Sequence, residues 1–117
     1  MLVCVFEPDL IFSSKFNRLT HSTGIEFRIF TDPNEFVTSA QQGAEALIIN
    51  LDAIKSEKLR DAVKIGVPVM GYYSHVSSDI ALNAMRSGVS PVVTRGAFLS
   101  RSESLVSELL GSKKKGP

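Results

Sequence analysis

Apolar and polar positions follow two rhythms along this chain, and the rhythm changes every ten residues or so. Residues 2–6 (Leu2, Val3, Cys4, Val5, Phe6) form an unbroken apolar run, which predicts a short strand covered on both faces and ended at Pro8. From 9 to 22 the apolar positions Leu10, Ile11, Phe12, Phe16 and Leu19 gather on one side of a helix, with Lys15 and Arg18 elsewhere and Gly24 as its stop. Residues 25–30 then alternate strictly, Ile25, Phe27 and Ile29 against Glu26 and Arg28, as a half-covered strand at a sheet edge does. Thr31 or Asp32 followed by Pro33 reads as a helix entry, with Phe36, Val37 and Ala40 as the buried stripe and Gly43 as the end.

The second half repeats the scheme. Ala46, Leu47, Ile48 and Ile49 make a central strand closing on Asn50, Leu51 and Asp52. A charged helix over 56–64 leads through Gly66 to a strand over 67–72 with Pro68 at its first position. Ser77 or Ser78 caps a helix carrying Ile80, Ala81, Ala84 and Met85, which stops at Arg86, Ser87 and Gly88. A fifth strand is expected over 89–93, and a last helix from Ser100 or Ser102 to Leu110 buries Leu105, Val106, Leu109 and Leu110. Five strand–helix units require parallel pairing through right-handed crossovers. The expected fold is therefore α/β, a flavodoxin-like doubly wound sheet of order 2-1-3-4-5 in three α/β/α layers, forming one domain over 1–111. Residues 112–117 are expected to be a flexible basic tail.

Composition narrows the function classes. The 117 residues are 44% hydrophobic and 21% charged, the range of an ordinary soluble domain, long enough to close a core without metal or disulfide. Net charge is +1, but three of the 13 cations are Lys113, Lys114 and Lys115, so the folded part is slightly acidic. That argues against nucleic acid as a partner, because phosphate binding needs a basic excess. The apolar start has no basic leader and soon meets Glu7, Pro8 and Asp9, so neither a membrane span nor export is expected and the location is cytoplasmic. Lone Cys4 is a small core residue with nothing basic beside it to activate it. P-loop, GxGxxG, CxxC and HExxH patterns are all missing, and with them the common signs of an enzyme on this fold.

In doubly wound sheets functional groups collect where the strands end at their carboxyl edge. Here those groups are Glu7, Asp9, Asn50, Asp52, Tyr73, Ser74, His75 and Arg95, with Lys15 nearby. The stretch from Pro68 to Ser74, the helix after it, Gly88-Val89 and Val92-Val93-Thr94-Arg95 resemble the fourth strand, hydroxyl residue, fourth helix, Gly-Ala and fifth-strand lysine of response regulator receiver domains. Residues 2–7 resemble that family's first strand, which ends in an acidic pair, and residues 46–51 the strand carrying its phospho-accepting aspartate.

The resemblance implies a site where carboxylates hold a divalent cation, an aspartate takes a phosphoryl group, and a lysine and a hydroxyl residue respond to it. Position by position, this chain offers Phe6 and Glu7 for the two acids, Asn50 for the aspartate, Tyr73 or Ser74 for the hydroxyl and Arg95 for the lysine. Leu51 supplies the hydrophobic residue that follows the aspartate in the family, which favours Asn50, while Asp52 is the acceptor under a two-residue shift.

Asparagine offers no anionic oxygen, so the resemblance implies a degenerate pseudo-receiver, with no catalysis, metal or cofactor, that binds another protein. With no room for an output domain in 117 residues, it is expected to stand alone. Its expected interaction face is Ile80, Met85, Val89, Leu99 and Leu105, also a candidate homodimer contact. Two other readings remain open. Arg95, Lys15 and Ser74 can hold a small anion or nucleotide, unless Arg95 pairs with Glu7 or Asp9 and locks the cleft. Alternatively, Asp52 and Glu7 converge to make a residual phosphorylatable receiver. His75 and His21 have bland readings, as a loop residue and a partner of helix-end carbonyls, and Tyr73 as an ordinary half-buried residue.

Overall fold

The computed structural model describes residues 1–74 and 78–112. Strand β1 (Leu2–Phe6) leads through two short helices, α1 (Leu10–Ser13) and α2 (Lys15–Thr23), to β2 (Glu26–Phe30). Helix α3 (Pro33–Gln41), β3 (Ala46–Asn50), α4 (Ser56–Val63) and β4 (Val69–Tyr73) follow, then α5 (Ser78–Ser87), β5 (Val92–Thr94) and α6 (Arg95–Ser112). The five strands are all parallel, in the order β2-β1-β3-β4-β5. This is the flavodoxin-like sheet that the alternation of strands and helices predicts. No helix among the described residues is long and apolar enough to cross a membrane.

Each face of the sheet carries its own core. Val3, Val5, Ile48, Met70 and Tyr72 pack with Phe12, Phe16, Leu19, Phe98, Leu105 and Leu109 from α1, α2 and α6. Cys4, Phe6, Leu47, Ile49 and Val69 pack on the other face with Phe36, Val37, Leu59 and Ala84 from α3, α4 and α5. β3 is buried along its whole length, whereas β2 alternates between exposed and half-buried positions as an edge strand should. Gly71 in β4 lies under Leu51, where an added Cβ would stand 2.7 Å from the leucine side chain. Buried Cys4 has its thiol pushed up by desolvation, the inert state expected of a core cysteine.

Several expected boundaries shift for local reasons. The single helix expected over 9–22 breaks at Ser14, because the Ser13 and Ser14 hydroxyls donate to the Leu10 and Ile11 carbonyls and compete with the helix ladder. Its first turn keeps Phe12 in the core but leaves Leu10 and Ile11 exposed rather than on the buried side. The fifth strand starts at Val92 rather than Val89, since Pro91, after a cis peptide bond, has no N–H for the ladder. The last helix holds the segment expected from Ser100 or Ser102 and adds a helical stretch before it, from Arg95. Thr94 Oγ1 caps it, accepting from Ala97 N–H at 3.1 Å, and a non-helical Arg101 marks where the expected segment joins the extra turn. α6 also runs to Ser112, one residue past the expected domain end. Residues 113–117, and with them the expected basic tail, lie outside the described residues.

Candidate functional site

Three neighbouring strands deliver the centre of the carboxyl edge. The side-chain alternation that buries Val3 and Val5 puts Glu7 on the same face, and by the same period Ile48 is followed by Asn50 and Met70 by Tyr72. Glu7 N–H donates to the Phe30 carbonyl at 3.0 Å, which extends the β1–β2 pairing by one residue and fixes where the acid stands. Its side chain is fully buried.

Burying a carboxylate is costly unless its lone pairs are filled. Here they are. Asn50 Nδ2 donates to both oxygens at 3.0 Å, Tyr72 O–H donates to Oε1 at 2.6 Å and Asp9 N–H donates to Oε2 at 3.0 Å. Asn50 is oriented from its other end, where Oδ1 accepts from Asp52 N–H at 3.0 Å, so its NH₂ group has to face Glu7. Burial and the bond to Glu7 push the Tyr72 hydroxyl far above the usual tyrosine range, so it stays a donor at neutral pH.

Arg95, the first residue of α6, closes the site. Its Nη2 lies 3.5 Å from Glu7 Oε1 and 3.9 Å from Asp9 Oδ2, and its guanidinium sits 4.2 Å above the Phe12 ring. Buried Arg95 Nε has no hydrogen-bond partner. Asp9 uses its other oxygen to cap α1, accepting from the Ile11 and Phe12 N–H groups. Beneath lies an aromatic floor in which Tyr72 stacks on Phe98 with centroids 5.0 Å apart, beside Phe12. A second, more exposed link joins the adjacent loops: Asp52 Oδ2 accepts from both the N–H and the O–H of Ser74, each at 2.7 Å.

The structure thus brings Glu7, Asp9, Asn50 and Arg95 together, with Asp52 and Ser74 joined to them through Asn50. It separates others. Lys15 lines a groove of about 420 Å³ between α2 and α6, with Arg18, Leu19, Ser22, Leu99 and Ser102, rather than the cleft. Tyr73 points to the opposite face and packs half-buried with the α3–α5 core, so it does not fill the cleft. Tyr72 takes that place. The strand period would have identified it, since residues 70 and 72 share the face of 46, 48 and 50. Phe12 was visible only as a core position, because its partner Arg95 is remote in sequence. His75 lies outside the described residues.

The expected interaction face also needs correction. Val89, between α5 and β5, and Leu105, on α6, are 1% and 2% exposed, each packed into the core on its face of the sheet. Ile80 is half-buried beside Leu51 and Leu59, while Met85 and Leu99 are exposed, together with Leu82.

Receiver-like folds bring a divalent cation to mind, and the donor set can be tested for one. Asn50 turns N–H groups, not lone pairs, toward Glu7; Tyr72 does the same with its O–H; and Asp52 Oδ2 already accepts from two Ser74 donors. The two acids that share a neighbour, Glu7 and Asp9, share a guanidinium. Among the described residues no three His, Cys, Asp or Glu side chains gather into a metal-holding group. These residues do not fit a hard cation, which needs several oxygen ligands.

No protein-family model matches the chain, and no curated protein matches it by sequence. Solved structures do match its shape. The response regulator receiver protein from Pseudoalteromonas atlantica superposes with a TM-score of 0.81 at 15% identity, covering 96% of this chain and 98% of that one. A CheY-like receiver domain protein from Methanospirillum hungatei gives 0.85 at 12% identity over 97% and 96% of the two chains. The signal receiver domain of a LuxO repressor-type protein from Vibrio parahaemolyticus gives 0.82 at 14% identity over 99% and 98%. At such identities the likeness is one of fold: this chain has the fold of a response regulator receiver domain.

Proposed function

We propose that this chain is a pseudo-receiver, a signalling module that works by binding another protein without being phosphorylated or catalysing a reaction. The observation that supports the reading most is the Asn50 amide, which stands where the resemblance expects the acceptor aspartate and spends both its ends inside the site, on Glu7 and on the Asp52 N–H. An amide oxygen is no nucleophile for phosphoryl transfer, and Glu7 already has the Arg95 guanidinium as its counter-charge.

The competing readings are less well supported. A small anion would have to displace Glu7 and Asp9 from Arg95. Phosphorylation of Asp52 at Oδ2 would have to break that oxygen's two bonds to Ser74. The exposed apolar residues open to a partner on this reading are Leu82 and Met85 on α5 and Leu99 on α6.

Incubation with acetyl phosphate and magnesium, followed by intact mass measurement, tests the proposal. The expected result is an unchanged mass. A phosphoryl adduct that disappears in Asp52→Asn would overturn it.

A further inference from the structure

Strand β2 is one edge of the sheet and pairs only with β1. Glu26 N–H donates to the Met1 carbonyl at 3.1 Å, and the Phe30 carbonyl accepts from Glu7 N–H. Residues 26, 28 and 30 therefore turn their backbone groups inward, and Phe27 and Ile29 turn theirs outward. Among the described residues nothing pairs with those outward groups. Proteins usually protect such an edge with a proline, a bulge, like charges or a covering element. β2 is five regular residues without proline, and its two exposed charges, on Glu26 and Arg28, are opposite in sign.

Those charges flank Phe27 symmetrically. An antiparallel second copy centred on Phe27 would place Phe27 opposite Phe27 as a hydrogen-bonded pair, using the groups that are free. Glu26 then falls opposite the copy's Arg28, and Arg28 opposite the copy's Glu26. Both are non-hydrogen-bonded pairs, where facing side chains approach most closely. Ile29 meets the copy's Ile25, continuing the apolar face. Centring on Ile29 instead would set Arg28 against Phe30 and lose both ion pairs.

We propose that β2 is a homodimerisation edge, joining two five-stranded sheets into one through this register. Within one chain the Glu26–Arg28 pair is 3.0 Å long but 61% and 50% exposed, so little holds it and both charges are available to a second copy. The contact lies at the β2 edge of the sheet, opposite the β5 edge, and does not depend on the state of the Asn50 site.

Sedimentation equilibrium across a concentration series, with circular dichroism to verify folding, tests the register. The parent chain is expected to dimerise. Arg28→Glu or Glu26→Arg alone sets like charges opposite one another at two places and is expected to weaken the dimer about tenfold or more. Mixing the two single variants restores complementarity and is expected to give a heterodimer, and the double swap in one chain a homodimer. A parent that stays monomeric, single variants that dimerise as the parent does, or a mixture that fails to associate would each overturn the proposal. So would a dimer lost in Leu99→Glu but kept in Arg28→Glu.

Discussion

Replacing Tyr72 with Phe removes one oxygen from the buried polar cluster around Glu7 and leaves almost everything else in place. The ring keeps its stack on Phe98 and its contact with Phe12, so no apolar packing is lost. What goes is the 2.6 Å donor to Glu7 Oε1, an atom that then keeps Asn50 Nδ2 at 3.0 Å and the more distant Arg95. A hydrogen bond to a charged group contributes about 1.5–3 kcal/mol, and no water-sized void opens to replace it, so about 2 kcal/mol of stability should be lost.

Urea denaturation at neutral pH would read this as a midpoint lowered on the order of 1 M with an unchanged slope. A double-mutant cycle isolates the cause. In a Glu7→Gln background the same replacement removes only a neutral hydrogen bond, so its cost should fall by about 1 kcal/mol. A loss under about 0.5 kcal/mol, or costs that simply add, would refute the idea that Tyr72 holds a buried carboxylate.

Two further outcomes follow from the same geometry. The Tyr72 hydroxyl is raised above its ordinary value of 10.0 by burial and then by Glu7, so its stabilising contribution is complete below pH 10 and declines above it as the unfolded chain ionises. Alkaline denaturation should show a decline near 1.4 kcal/mol per pH unit, roughly, that is missing in Tyr72→Phe; equal slopes in both chains would contradict it. Gly71→Ala forces a methyl to within 2.7–2.8 Å of the Leu51 side chain and should cost about 1–3 kcal/mol in a thermal or urea melt, whereas a neutral effect would mean that Leu51 can move aside.

The layered fold was legible because its signals are local and agree with one another: continuous apolar runs for the buried strands, alternation for β2, caps and glycines at helix ends. The departures came from competition that a period cannot express. Two adjacent serine hydroxyls redirect the helix after Asp9, and a threonine cap starts α6 where no apolar stripe begins. At the site, Glu7, Asp9, Asn50 and Arg95 could be listed as edge residues, and the pairing of Arg95 with Glu7 and Asp9 was among the readings open from the sequence. Because β4 turns alternate residues to opposite faces, it is Tyr72 that reaches the site, while Tyr73 takes the half-buried place of its ordinary reading. Counting Val89 and Leu105 as surface treated apolar residues near a face as exposed on it, when each points inward.

The link between Asn50 and Glu7 also bears on how such a chain can change. Asn50→Asp would put a second carboxyl beside buried Glu7 at the end of β3. Asn50 Nδ2 is 3.0 Å from both Glu7 oxygens, so the exchange turns two donated hydrogen bonds into a contact between two acids in a water-poor setting. It becomes tolerable only if Glu7, Tyr72 or Arg95 changes with it. A change at one of these strand ends therefore has to be matched by a change at another, and the three are free to alter mainly as a set.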